Sequence, residues 1–246
     1  MAARLHIYPS REEVIDRARQ LILDKAEAAI QQRGRFTLAL SGGNTPKPLY
    51  EALAQESQPW ERWHIFWGDE RFVPADHPDS NQGMARDAWL NQIQIPAENI
   101  HPLETEAATP AAAAAANEAH LREFFAAASP QEWPRFDLML LGMGEDGHTA
   151  SLFPKTAALQ VCDRWVTVGQ KADQPRLTLT IPVLNQARCV LFVVAGADKN
   201  PILQEIFADS SAVAASYPAA IIQPEGELLW MLDGEAGAGL GQNGLN

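Results

Sequence analysis

Short runs in which nearly every position is apolar alternate along this chain with longer stretches whose apolar residues fall three and four apart. The short runs predict strands at 5–8, 36–40, 64–67, 138–141, 165–168, 177–181, 189–195 and 228–232, buried on both faces where polar positions are missing. The longer stretches predict helices. Ser10 and Glu13 form an S-x-x-E capping box for the first, which carries Val14, Ala18, Leu21, Ile22, Ala29 and Ile30 on one face and stops at Gly34. Ser80 caps a second, over 81–90. Thr109-Pro110 starts a third, through the alanine run 111–116 to Phe125, and a fourth covers 200–207. Strands alternating with helices predict a mostly parallel, Rossmann-like doubly wound α/β sheet with helices on both faces. No linker-like composition shift interrupts residues 1–233, so one catalytic domain is expected, and the Gly-rich tail 234–246 is expected to be disordered.

Composition narrows the class. The 246 residues are 46% apolar, enough for a sizeable core, and carry a formal charge of −12. That charge repels nucleic acid and anionic membranes, and it means an anionic substrate needs a local cluster of N–H donors and cations. The longest apolar run, 189–197, is too short to span a bilayer, and residues 1–10 show no apolar leader core. A cytoplasmic protein is expected, working as a monomer or homodimer on a small molecule. Cys162 and Cys189 are read as buried thiols in a reducing compartment.

Three strand ends carry candidate chemistry. The first strand-to-helix turn reads Ser41-Gly42-Gly43-Asn44-Thr45-Pro46, with Thr45 as a plausible N-cap and Pro46 at the first helical position. It would aim backbone N–H groups at an anion, although a tight turn with no ligand fits that segment equally well. Gly68-Asp69-Glu70-Arg71 follows the strand 64–67. The segment 136–154, FDLMLLGMGEDGHTASLFP, ends a buried strand in Gly142, Gly144 and Gly147, with Glu145, Asp146 and His148 as its titrating groups. Ligands of open α/β sheets sit beyond the carboxyl ends of the strands, where these residues fall. Arg176 precedes the strand 177–181, which Pro182 breaks, and Lys199 follows 189–195 beside a helix start.

His148 is the expected chemical centre, because Asp146 two residues before it can orient the imidazole and raise its basicity. His6, His64, His77, His101 and His120 are read as surface or structural residues. The run 142–147 satisfies G-x-G-x-x-G with Asp163 downstream, but Pro154 leaves no room for the crossover helix a dinucleotide fold needs. No zinc-type spacing, Walker loop or nucleophile elbow is present, so no metal or cofactor is expected. Acid–base chemistry on a small phosphorylated molecule remains.

The segments SGGNTP (41–46), WGDERFVP (67–74), SN (80–81), GMGEDGHTASLFP (142–154), RLTLTIPVLN (176–185) and GADK (196–199) resemble, in order and wording, the glucosamine-6-phosphate isomerase/6-phosphogluconolactonase family on its lactonase side. The likeness runs over about 5–233. It implies the fold of glucosamine-6-phosphate deaminases and hydrolysis of a phosphorylated sugar lactone without a metal. It also implies that the phosphate is held by Ser41, Gly42, Gly43, Asn44, Thr45, Arg176 and Lys199. By the same likeness His148 is the general base and Asp146 orients it, with Asp69 and Arg71 close by. Arg71 would meet either the developing oxyanion or the phosphate. The deaminases read roughly HIAFNEP after the histidine, with a glutamate where this chain has Phe153. A non-catalytic sugar-phosphate regulator would be expected to have lost His148 or Asp146, and both are present.

Overall fold

A computed structural model describes residues 3–129, 131–208 and 216–241. Its centre is a seven-stranded sheet built from β1 (Arg4–Tyr8), β2 (Phe36–Leu40), β3 (Trp63–Trp67), β5 (Ile100–His101), β6 (Leu138–Leu141), β9 (Cys189–Val194) and β10 (Glu227–Asp233). The order is β1-β10-β9-β6-β2-β3-β5, every pair parallel. Every residue of β2, β6 and β9 is buried, which is why β6 and β9 read as unbroken apolar runs and β2 as one broken only by Thr37. The chain runs outward from β2 through β3 to β5, then returns to lay β6 on the other side of β2. That reversal leaves a crevice at the carboxyl ends of β2 and β6.

Seven α-helices are described: α1 (Arg11–Arg33), α2 (Lys47–Leu53), α3 (Asn81–Ala88), α4 (Pro110–Phe124), α5 (Ile181–Asn185), α6 (Asn200–Phe207) and α7 (Pro218–Ile221). The Ser10 side chain accepts from Glu13 N at 3.3 Å, as the capping box predicts. Gly34, at φ +75°, ends α1 in the left-handed conformation with its N–H on Ile30 O at 2.8 Å. Val14, Ala18, Ile22, Ala26 and Ala29 form the buried stripe of α1. Among the described residues no helix is long and apolar enough to cross a membrane.

Several expectations need correction. The mostly parallel sheet stands as expected, but β4 (Asp69–Arg71), β8 (Gln174–Leu179) and β7 (Val166–Lys171) form a separate antiparallel sheet that the strand pattern did not announce. The predicted strand 177–181 gives way after Leu179 to α5, with Pro182 in that helix's first turn rather than breaking a strand. Thr45 is not an N-cap: Pro46 holds that position and no side chain caps α2. Helix 81–90 is shorter, ending at Ala88, with a 3-10 turn following from Leu90 to Gln92. Cys162 is exposed, whereas Cys189 is buried, and burial pushes the Cys189 thiol up to about 11.

The tail expected to be disordered from Gly234 instead packs through Leu240. Ala236 is buried, its N–H donates to Asp233 Oδ1 at 2.8 Å, and Asn200 Nδ2 donates to Ala236 O and Ala238 O. Residues 242–246 of that expectation lie outside the described residues.

Three of the histidines read as structural form a chain, with His64 Nδ1 3.2 Å from His101 Nε2 and His101 Nδ1 3.0 Å from His120 Nε2. The His101 ring also stacks on Phe66 at a centroid separation of 4.4 Å. Burial first, then the neighbouring His120 and His64, pushes His101 down to about 4 from an unfolded value of 6.5. The unfolded chain therefore takes up this proton first as pH falls, so the stability that neutral His101 contributes is intact above pH 6.5 and lost towards pH 4. Urea midpoints measured from pH 7.5 to 4.5 should fall across that window, and less steeply for His101→Phe.

Candidate active site

At the crevice between β2 and β6 lies a cleft of 170 Å³ lined by Ser41, Gly42 and Gly43 after β2, Asp69 and Arg71 of β4, and Gly142, Met143, Gly144 and His148 after β6. Asn81, Thr149, Ala150 and Arg176 complete it. Hollows of 470, 490 and 410 Å³ exist elsewhere, so the chemistry of its walls, not size, singles this cleft out. Tyr50 props the glycine turn from behind: its hydroxyl donates to Ser41 O at 2.7 Å and accepts from Ser41 N at 3.1 Å.

The segment 142–154 makes turns and a Thr149–Leu152 bridge, and no α-helix follows its glycines before β7. Asp146 Oδ1 accepts from His148 N at 3.1 Å and is also bonded to the His148 Nδ1. This double contact orients the ring and leaves Nε2 as its other nitrogen. Burial draws the Asp146 carboxyl upward, but the bonds from the His148 side chain and backbone outweigh it and hold the carboxyl below its ordinary range. A Cβ on Gly144 would lie 2.0 Å from His148 Cε1, so only glycine lets the imidazole lie across that backbone. Phe153 backs the ring at a centroid distance of 4.4 Å and also lies under the Arg176 guanidinium, 5.6 Å from Cζ.

β4 shows how a three-residue strand serves two sides. Its pleat sends Asp69 and Arg71 one way and Glu70 the other. Asp69 Oδ2 accepts from Ser151 Oγ at 2.6 Å. Arg71 is the cross-strand partner of Arg176 in the β4–β8 pairing. Like charges directly opposed on one face repel. Both Nε atoms are buried without a hydrogen-bond partner in the described structure, and burial, then the charge of Arg71, pushes Arg176 below its ordinary range. An anion placed between them would relieve both costs.

Glu70 points the other way and caps α3. Its carboxylate accepts from Asn81 N, Gln82 N and Arg71 N at 2.7–2.8 Å. Burial raises the Glu70 carboxyl despite these bonds, which lower it in part. The cap holds Asn81 in place, where its Nδ2 donates to Asp69 O at 3.0 Å and its Oδ1 would lie 1.8 Å from a Cβ on Gly42.

Of the expected site residues, Ser41, Gly42, Gly43, Asp69, Arg71, His148 and Arg176 therefore line one cleft, and Asp146 stands behind His148. Asn44 and Thr45 do not line it, and Asn44 O instead accepts from Arg11 Nη2 at 2.6 Å. Lys199 does not line it either: it follows β9, one strand beyond β6, and its Nζ bonds Asp198 Oδ2 at 2.7 Å. Sequence reasoning gave no role to Glu70, Asn81 or Ser151. The alternation in Asp69-Glu70-Arg71 hinted at a side for Glu70, but nothing local announces that Ser151 meets a carboxylate 82 positions away. Among the described residues no group of three or more His, Cys, Asp or Glu is placed to hold a metal ion.

Residues 9–230 match the family described as glucosamine-6-phosphate isomerases/6-phosphogluconolactonase. This chain belongs to that family. A protein of Nostoc sp. named 6-phosphogluconolactonase is 56% identical over 240 residues, covering 98% of this chain and 99% of that one. The crystal structure of 6-phosphogluconolactonase from Leishmania guyanensis superposes with a TM-score of 0.85 at 28% identity, over 98% of this chain and 100% of that one. A monomeric glucosamine-6-phosphate deaminase, 18% identical over 96% of this chain and 99% of its own, has the same fold at a TM-score of 0.80.

Gly144→Ala should push the imidazole off Asp146 while the fold survives. Imidazole ¹H–¹⁵N spectra should lose the hydrogen-bonded Nδ1 signature of His148, with thermal unfolding little changed.

Proposed function

We propose that this chain hydrolyses 6-phosphoglucono-δ-lactone to 6-phosphogluconate, the lactone-opening step of the oxidative pentose phosphate pathway. The observation that carries the reading is a carboxylate-oriented imidazole, His148 on Asp146, sharing one small cleft with the opposed Arg71 and Arg176. Relatives named 6-phosphogluconolactonase over nearly the full chain support the substrate.

In this reading the substrate phosphate lies between Arg71 and Arg176, which assigns Arg71 to the phosphate rather than the oxyanion. The glycine turn 41–43 adds backbone donors. His148 Nε2 takes a proton from water as its oxygen attacks C1 of the lactone, and Asp146 stabilises the imidazolium that forms. The tetrahedral intermediate collapses with cleavage of the bond between C1 and the ring oxygen, and the same imidazole returns the proton to that oxygen. No covalent intermediate is needed. A lactone is already a reactive ester, so one general base contributing about 10²–10⁴-fold, together with positioning by the phosphate, supplies an adequate barrier reduction. Asp69, fixed by Ser151 and Asn81, shapes the wall between the two ends. Phe153 occupies the position where the deaminases would carry a glutamate and presents an apolar ring to His148, which favours hydrolysis over ring-opening isomerisation.

The lactone can be generated in situ by glucose-6-phosphate dehydrogenase and its disappearance followed. Loss well above the spontaneous rate is expected, and loss no faster than in buffer would reject the reading. His148→Ala should lower kcat by about 10²–10⁴-fold with KM nearly unchanged. Arg176→Ala should act mainly on KM. Lys199→Ala should raise KM less than Arg176→Ala does, because Asp198 holds Lys199 outside the cleft.

A further inference from the structure

The amino ends of the same strands carry a second concentration of positive charge. Three adjacent parallel strands, β2, β6 and β9, begin at Phe36, Leu138 and Cys189. Arg35 and Arg188 immediately precede two of them, Arg135 and Asp137 precede the third, and Arg33 closes α1 beside them. Adjacent strands lie only about 4.8 Å apart, so these short approaches crowd four guanidiniums onto one edge of the sheet.

Together they line an open basin of 490 Å³, with Trp133 and Phe125 in its wall. In a chain of net charge −12 this is a local reversal of sign, on the edge of the sheet opposite the His148 cleft.

One carboxylate cannot neutralise it. Asp137 Oδ2 accepts from Thr37 N and Thr37 Oγ1, both at 2.9 Å, and Oδ1 accepts from Arg33 Nε at 2.9 Å with Arg188 Nε 3.4 Å away. Both oxygens of that acceptor are already engaged. Arg35 and Arg135 have no carboxylate partner among the described residues, and Arg35 rests on the Phe124 ring at 4.4 Å. Burial, then Arg33 and Arg135, pushes the Arg188 guanidinium down from its ordinary range.

We propose that this basin is a second anion site, taking a small molecule that carries a phosphate or diphosphate group. Guanidiniums match phosphate oxygens bidentately, and several converging on one basin hold a multiply charged anion that a single exposed cation does not. The basin falls in the size range of small-molecule sites and exceeds what a lone inorganic ion fills. The site is independent of the catalytic reading, because it shares no residue with the cleft.

Thermal unfolding with inorganic pyrophosphate tests it in the full chain carrying Arg176→Ala, which disables the cleft's own anchor. A rise in Tm of about 5 °C is expected at a hundredfold excess over Kd. Adding Arg35→Ala and Arg135→Ala should abolish the rise, and in the parent background this pair should leave lactone turnover unchanged. Should the pair fail to fold, Arg135→Ala alone should at least halve the rise. No rise in the Arg176→Ala protein, an equal rise with sodium chloride at matched ionic strength, or a rise that survives loss of both arginines would each overturn the site.

Discussion

The placement of β6 against β2, on the side away from β3, is the constraint on which the site depends. Parallel pairing leaves the carboxyl ends of neighbouring strands side by side, and the reversal of strand order parts the loops that leave them. The glycine turn after β2 and the His148 loop after β6 face each other across that gap. Leu38 and Ala39 pair with Leu138 and Met139, so the register of four buried residues decides that a turn at 41–43 and a histidine at 148 share one cleft.

The small antiparallel sheet supplies what the large one lacks. The parallel sheet offers backbone donors and loop residues at its ends, and the opposed pair of long side chains comes from the small sheet. Pairing β4 with β8 antiparallel sets Arg71 directly across from Arg176. The same three residues put Glu70 on the other side, where it ties down the start of α3 and thereby Asn81. A cleft wall, one half of the cation pair and a helix cap thus come from one tripeptide by pleat alternation.

Sheet polarity runs through the molecule. At the carboxyl ends a histidine and two arginines line one cleft together with Asp69. At the amino ends four arginines surround one carboxylate whose oxygens are already engaged. Both clusters arise because successive parallel strands place residues that are distant in sequence at a common height.

The apolar runs, the Ser10 cap, the Gly34 stop and the Asp146–His148 spacing were legible in the linear chain, because burial, capping and a two-residue carboxylate–imidazole contact are local physics. The sheet class followed from them, whereas the roles given to Asp69, Arg71 and the phosphate-binding residues rested on the family resemblance. The antiparallel sheet was not legible, since strands 166–171 and 174–179 carry no local mark of which partner they pair with. The packed turn after Asp233 was hidden by its glycines, whose order comes from Asn200 and Gln204 rather than from their own side chains. Lys199 was placed at the phosphate by the family resemblance, and the fold sets it after β9, paired with Asp198 and outside the lining of the cleft. Local sequence decides which residues can do chemistry. Tertiary pairing decides which of them meet, because proximity across the sheet depends on register and strand order, which no short segment encodes.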